Sequence, residues 1–67
     1  DNNIDKLTPR ELQVIKLFCK GLSVSKISDE LAVSFHTVDS HRKNIKQKLK
    51  AKNIADIVRI AMENGIC

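Results

Sequence analysis

Sixty-seven residues suffice for one domain, at the small end of what folds without a metal or a disulfide framework, and 42% hydrophobic residues make a packed core attainable. Two glycines, one proline and no Trp or Tyr argue against a loop-rich or β-rich fold, and no apolar run approaches the ~18–20 residues of a membrane span. Twelve Lys or Arg against eight Asp or Glu leave a formal charge of +4, and where that charge sits is more informative than its size.

Residues 1–6 are polar apart from Ile4 and read as the end of a linker, with residues 7–67 as the domain. Beginning at Asp1 without a Met, the chain reads as a piece of a longer polypeptide. Leu7 is the first anchored residue, and Thr8-Pro9-Arg10-Glu11 is a helix start. The Thr8 hydroxyl can accept a first-turn N–H while Glu11 reaches back to the cap, and Pro9 sits where its missing N–H costs nothing. Leu12, Ile15, Phe18 and Cys19 then recur at helical spacing, with Val14 and Leu17 flanking, until Gly21 ends the helix in a left-handed conformation. Leu22 anchors the connection, and Ser23 or Ser25 caps a short second helix carrying Val24, Ile27 and Leu31 inward and Asp29 and Glu30 outward. The turn Ala32-Val33 lacks a glycine and ends at Ser34, the cap of a third helix over 35–50. After the connector Lys50-Ala51-Lys52, Asn53 caps a fourth helix with Asp56 in its first turn, an inward stripe of Ile54, Ile57, Val58 and Ala61, and Gly65 at its end. The expected fold is therefore all-α, a compact four-helix domain containing a helix-turn-helix.

The third helix holds the charge. Residues 34–50 contain Arg42, Lys43, Lys46, Lys48 and Lys50 against the single acid Asp39, and the remaining residues are neutral in sum. At about 100° per residue, Val38, Ile45 and Leu49 fall on one line and form the buried stripe. His36, Asp39, Ser40, Lys43, Gln47 and Lys50 lie opposite, with Asn44 and Lys46 on the borders. A basic stripe on one helix is the electrostatic footprint of phosphate binding. His41 lies near the edge of the core, where packing or a phosphate contact suits it better than catalysis.

Two cysteines without a matching Cys/His ligand set make no zinc site. Cys19 reads as a small buried hydrophobe, and a Cys19–Cys67 disulfide is not expected in a reducing compartment. No Gly-rich phosphate loop, metal-ligand cluster or paired carboxylates appear, so the chain reads as a non-enzyme with no metal, no cofactor and no small-molecule ligand.

Taken together, Leu7-Thr8-Pro9-Arg10-Glu11, Gly21-Leu22-Ser23, Lys26-Ile27-Ser28, Leu31, Ser34, Thr37-Val38, His41-Arg42, Asn44-Ile45, Lys48-Leu49 and Asn53 resemble the LuxR/NarL-type helix-turn-helix domain in order and spacing over almost all of residues 7–66. That domain is found at the C-terminus of many bacterial response regulators and quorum-sensing regulators. The resemblance implies that the third helix enters the major groove of double-stranded DNA and that the fourth helix pairs two domains there. It also implies base contacts just after the Thr-Val pair, at Asp39, Ser40 and Lys43. Many members carry a basic residue where this chain has Asp39.

The residues then divide by task, since phosphate contacts hold register and base-edge contacts carry specificity. His36, Asp39, Ser40, Lys43 and Gln47 are the expected base readers, Lys43 being best suited to guanine and Asp39 able to accept from a cytosine amino group. Ser23, Lys26, Ser34, Thr37, Arg42, Lys46, Lys48 and Lys50 are the expected phosphate ligands. Ala55, Val58 and Met62 are the expected homodimer face of the fourth helix. The expected partners are duplex DNA, a second copy of the chain and RNA polymerase if the protein activates, with no membrane; the expected location is the cytoplasm, on the nucleoid when bound. A helical protein-interaction module with a basic face and a sigma-factor promoter-reading domain are the competing readings. The pairs His41-Arg42 and Asn44-Ile45 and the helix after Asn53 favour the LuxR/NarL type over the sigma factor.

Overall fold

The computed structural model describes residues 4–67, so the first part of the expected linker lies outside the described residues. A 3-10 turn over Ile4–Lys6 precedes α1 (Pro9–Cys19), α2 (Val24–Leu31), α3 (Phe35–Leu49) and α4 (Ile54–Glu63), with no strand among the described residues. The all-α, four-helix expectation holds. The Cα radius of gyration, 10.7 Å, is close to the ~11 Å expected of a compact chain of this length.

Every helix begins on a side chain that accepts a free first-turn N–H. Thr8 Oγ1 accepts from Glu11 N at 3.1 Å while Thr8 N donates to Glu11 Oε1 at 2.9 Å, which completes the capping box. Ser23, not Ser25, caps α2 through Lys26 N; Ser34 caps α3 through Thr37 N; and Asn53 caps α4 through Asp56 N. The ends are as local as the starts. Gly21 takes φ +87° and its neighbour Leu22 donates to Leu17 O, closing α1 with the left-handed turn its sequence implies.

The glycine-free turn is made by strain instead. Ala32 adopts φ 56°, ψ 43°, and Val33 N donates to Ser28 O at 3.0 Å, so an alanine occupies the left-handed cap of α2. An L-residue there costs about 1–2 kcal/mol, part of which glycine returns through greater freedom in the unfolded chain. Ala32 is exposed and loses no buried contact when trimmed. Ala32→Gly should therefore raise the unfolding free energy by about 0.5–1 kcal/mol in urea titration. A loss of stability would show that the turn does not hold this conformation. Lys50, expected inside α3, is likewise its left-handed cap at φ 55°.

α3 is the central element, packed against α1, α2, α4 and the 3-10 turn, while α4 lies on α1 and α3. Its stripe is as expected: Val38, Ile45 and Leu49 are all fully buried. Other stripes are rotated or wider than expected. In α1 Val14 is fully buried, whereas Leu12 and Cys19 are half-buried at the rim. In α4 Ile60 joins Ile57 and Ala61 in the core while Ile54 and Val58 are half-buried, because α4 meets two helices and buries a broader arc.

Residues 4–6, read from the sequence as the end of a linker, form a turn held to the helices: Leu7 N donates to Ile4 O at 3.1 Å, Ile4 packs on the core, and the turn rests against α3. One expectation is corrected. Cys19 and Cys67 are joined by a disulfide, with Cα atoms 5.9 Å apart. After α4, Gly65 turns at φ +72° and Ile66 N donates to Ala61 O at 2.8 Å, which folds the chain back onto the end of α1. No spacing rule brings together residues 48 positions apart.

Candidate nucleic-acid interface

The helix-turn-helix presents α3 outward along one side. Its core line through Val38, Ile45 and Leu49 turns His36, Thr37, Ser40, Lys43, Asn44, Gln47 and Lys50 to solvent, all of them exposed. Lys46 is half-buried on the same side. Lys43, Lys46, Gln47 and Ala51 line an open recess of about 400 Å³, so part of the expected base-reading set shares one concave surface with a phosphate candidate.

Asp39 is tied to its own helix. Its Oδ1 accepts from Arg42 Nε at 3.0 Å and lies 2.8 Å from Nη2, and its Oδ2 lies 3.4 Å from Lys43 Nζ. The Arg42 hydrogen bond, aided by Lys43, outweighs desolvation and holds the Asp39 carboxyl below its ordinary range. Asp39 therefore orders the two cations that follow it on the next turn. Arg42 keeps Nη1 without an intramolecular partner among the described residues, and the Lys43 side chain remains 69% exposed.

The cap residues sit at the N-termini of α2 and α3. Ser23 lies at the N-terminus of α2 with Lys26 in the first turn, and both are exposed. Ser34 Oγ and Thr37 Oγ1 are 2.9 Å apart at the N-terminus of α3, where first-turn N–H groups point outward.

Lys48 sits elsewhere. Its ammonium lies 2.7 Å from Glu11 Oε1 and donates to Lys6 O at 3.0 Å, joining α3 to α1 and the 3-10 turn. Glu11 is 3% exposed, and burial alone would raise its pKa. The Lys48 hydrogen bond, the Thr8 amide and the charges of Lys48 and His41 prevail and lower it. This cation neutralises a buried carboxylate and is not displayed with the others. His41 is half-buried, as its place at the core edge implied.

Phe35 was missed as a surface residue. It is 52% exposed on the first turn of α3, with its ring edge-on to His36 at 6.4 Å between centroids. The available signal was that only two aromatics occur in the chain and this one directly follows the cap of the basic helix.

On α4, Ala55 and Met62 are exposed, Met62 at 66%, and Val58 is half-buried beside them. Arg59 bridges Asp56 and Glu63 along the neighbouring strip at 3.0–3.1 Å, so that the apolar trio is flanked by an internally neutralised ladder. Among the described residues, no helix is long and apolar enough to cross a membrane.

Residues 5–61 match the family model described as bacterial regulatory proteins, luxR family. The chain belongs to the luxR family. Its relatives include the transcriptional regulatory protein MctR of Rhizobium johnstonii, 39% identical over 62 residues, which are 92% of this chain and 29% of that protein. The transcriptional regulatory protein FixJ of Bradyrhizobium diazoefficiens is 35% identical over 94% of the chain and 31% of its own length. The oxygen regulatory protein NreC of Staphylococcus carnosus is 37% identical over 90% of the chain and 28% of its own length. The luxR-family chain thus spans less than a third of these curated relatives. Family membership implies DNA-binding transcription regulation, and it fits the helix-turn-helix and the outward basic helix.

Proposed function

We propose that the chain is a sequence-specific double-stranded DNA-binding domain of a bacterial response regulator, with α3 as the helix that enters the major groove. The observation that carries this reading is the basic and acid-poor outer face of α3, in a helix-turn-helix whose preceding helix α2 bears an exposed Lys26 in its first turn. An α-helix fits the major groove, where each base pair offers its own donor and acceptor pattern. His36, Ser40, Lys43 and Gln47 read base edges, with Lys43 directed at guanine O6 or N7. Asp39 acts by orienting Arg42 and Lys43 and can release Lys43 to accept from a cytosine amino group itself. Phe35 adds an apolar contact of the kind that suits a thymine methyl.

Lys26, Arg42, Lys46 and Lys50 grip phosphates, assisted by Ser23, Ser34 and Thr37 at the N-termini of α2 and α3. Lys48 contributes indirectly, through the position of α3. Two domains pair through Ala55, Val58 and Met62 of α4 when adjacent half-sites are occupied, and a contact with RNA polymerase follows where the regulator activates. The domain works in the cytoplasm, on the nucleoid.

Selection of bound sequences from a random duplex pool tests this reading. It should recover a repeated half-site whose spacing reports the pairing geometry, whereas an unenriched pool would contradict sequence-specific binding. On the recovered site, Lys43→Ala should cost about 1–3 kcal/mol and flatten preference at one base position, while Lys50→Ala weakens all sequences alike. Equal losses on selected and random DNA for Lys43→Ala would remove its base-reading role.

A further inference from the structure

We propose that Cys19 and Cys67 form a thiol–disulfide exchange site for a small anionic disulfide, which closes and opens a covalent clamp between α1 and the segment after α4. The Cα separation of 5.9 Å lies in the usual disulfide range, and the backbone that creates it is anchored on both sides. Cys19 is the last residue of α1, and Ile66 packs on the core beside an amide held by Ala61 O. The pair is open to solvent at a recess of about 350 Å³ lined by Lys16, Cys19, Lys20, Ile66 and Cys67. Neither lysine has an acid partner within ion-pair distance among the described residues, and both line the recess that opens on the two sulfurs. That combination attracts a low-molecular-weight disulfide bearing carboxylates, and glutathione disulfide is the probe that matches it.

The chemistry is two successive displacements. Starting from two thiols, the Cys67 thiolate attacks one sulfur of the small disulfide; a Cys67–S bond forms, the S–S bond breaks, and one small thiolate leaves with the electron pair. Cys67 acts first because it is exposed, whereas Cys19 lies at the C-terminal end of α1, where the helix dipole opposes negative charge. The Cys19 thiolate then attacks Cys67 Sγ and expels the second small thiolate. The two cysteines lose two electrons and two protons, and the small disulfide is reduced to two thiols. Excess small thiol runs the same steps backward.

The test equilibrates the chain in glutathione mixtures of graded ratio, traps free thiols by alkylation and reads the species by mass. The expected result is one transition between two free thiols and one intramolecular disulfide. Cys19→Ser should accumulate the mixed disulfide on Cys67, because no second thiol resolves it. Reduction should lower the melting midpoint by about 10 °C or more, given the long loop that the bond closes. Cys67→Ser should melt like the reduced chain. Lys16→Ala with Lys20→Ala should slow exchange with glutathione disulfide by about 3–10-fold, with no change toward the uncharged hydroxyethyl disulfide. Persistent mixed disulfides on both cysteines of the unmodified chain, or equal melting of its oxidised and reduced forms, would overturn the proposal. Equal slowing with the charged and uncharged disulfides would overturn the role of the lysines.

Discussion

Val38→Asp should leave the chain unfolded at ambient temperature. Val38 is fully buried on the inner line of α3, between Ser34 at the cap and the core residues Ile45 and Leu49. The substitution forfeits about 1.5–3 kcal/mol of burial and adds an unpaired carboxyl whose burial costs several more. A domain of this length has on the order of 3–10 kcal/mol of stability in all. Val38→Thr is the control: it keeps the volume, and its hydroxyl can donate to the Ser34 carbonyl, so it should cost only about 1–2 kcal/mol. Far-UV circular dichroism during a thermal scan decides the matter. A cooperative native-like melt for Val38→Asp would mean that α3 is rotated from the phase on which its outward face depends.

Lys48→Met should destabilise the domain by about 2–4 kcal/mol while leaving its DNA contacts in place. Removing one partner of a buried ion pair strands the other, typically at 3–5 kcal/mol, and the partial exposure of the Lys48 side chain, 30%, reduces that cost. The double variant Glu11→Gln with Lys48→Met should recover most of the loss, because Gln retains the capping box and carries no charge. The pair also has an acid signature. Glu11 has a lowered pKa in the folded chain, so its contribution is present above its ordinary value of 4.5 and is lost as pH falls through the lower folded value. Lys48→Met should therefore show a shallower acid limb. Unchanged stability together with weakened DNA binding would return Lys48 to the phosphate ligands, which is where its charge alone placed it.

These two residues also mark the limits of what the sequence discloses. The caps at Thr8, Ser23, Ser34 and Asn53 act over three residues, and the α3 stripe repeats with one period, so local rules suffice to find them. The outward set on α3 follows from the same phase and needs no tertiary information. The Lys48–Glu11 pair spans 37 positions and the Cys19–Cys67 bond spans 48, and neither has a local signal. Ile60 is buried because α4 is covered by two neighbours, which its own periodicity does not encode. Asp39 is a different case. Its spacing to Arg42 and Lys43 is the three- and four-residue spacing at which helical ion pairs form, so its intramolecular role is legible in the sequence beside its place on the outward side.

The central claim is that α3 and the start of α2 bind DNA phosphates through Lys26, Arg42, Lys46 and Lys50. The direct measurement is the dissociation constant for duplex DNA, followed by fluorescence anisotropy, as a function of monovalent salt. Four neutralised phosphates per domain predict a log–log slope of the association constant near −3.6, and Lys50→Ala should make it shallower by about 0.9. A slope near zero, or one that Lys50→Ala leaves unchanged while Lys48→Met alters it, would contradict the account.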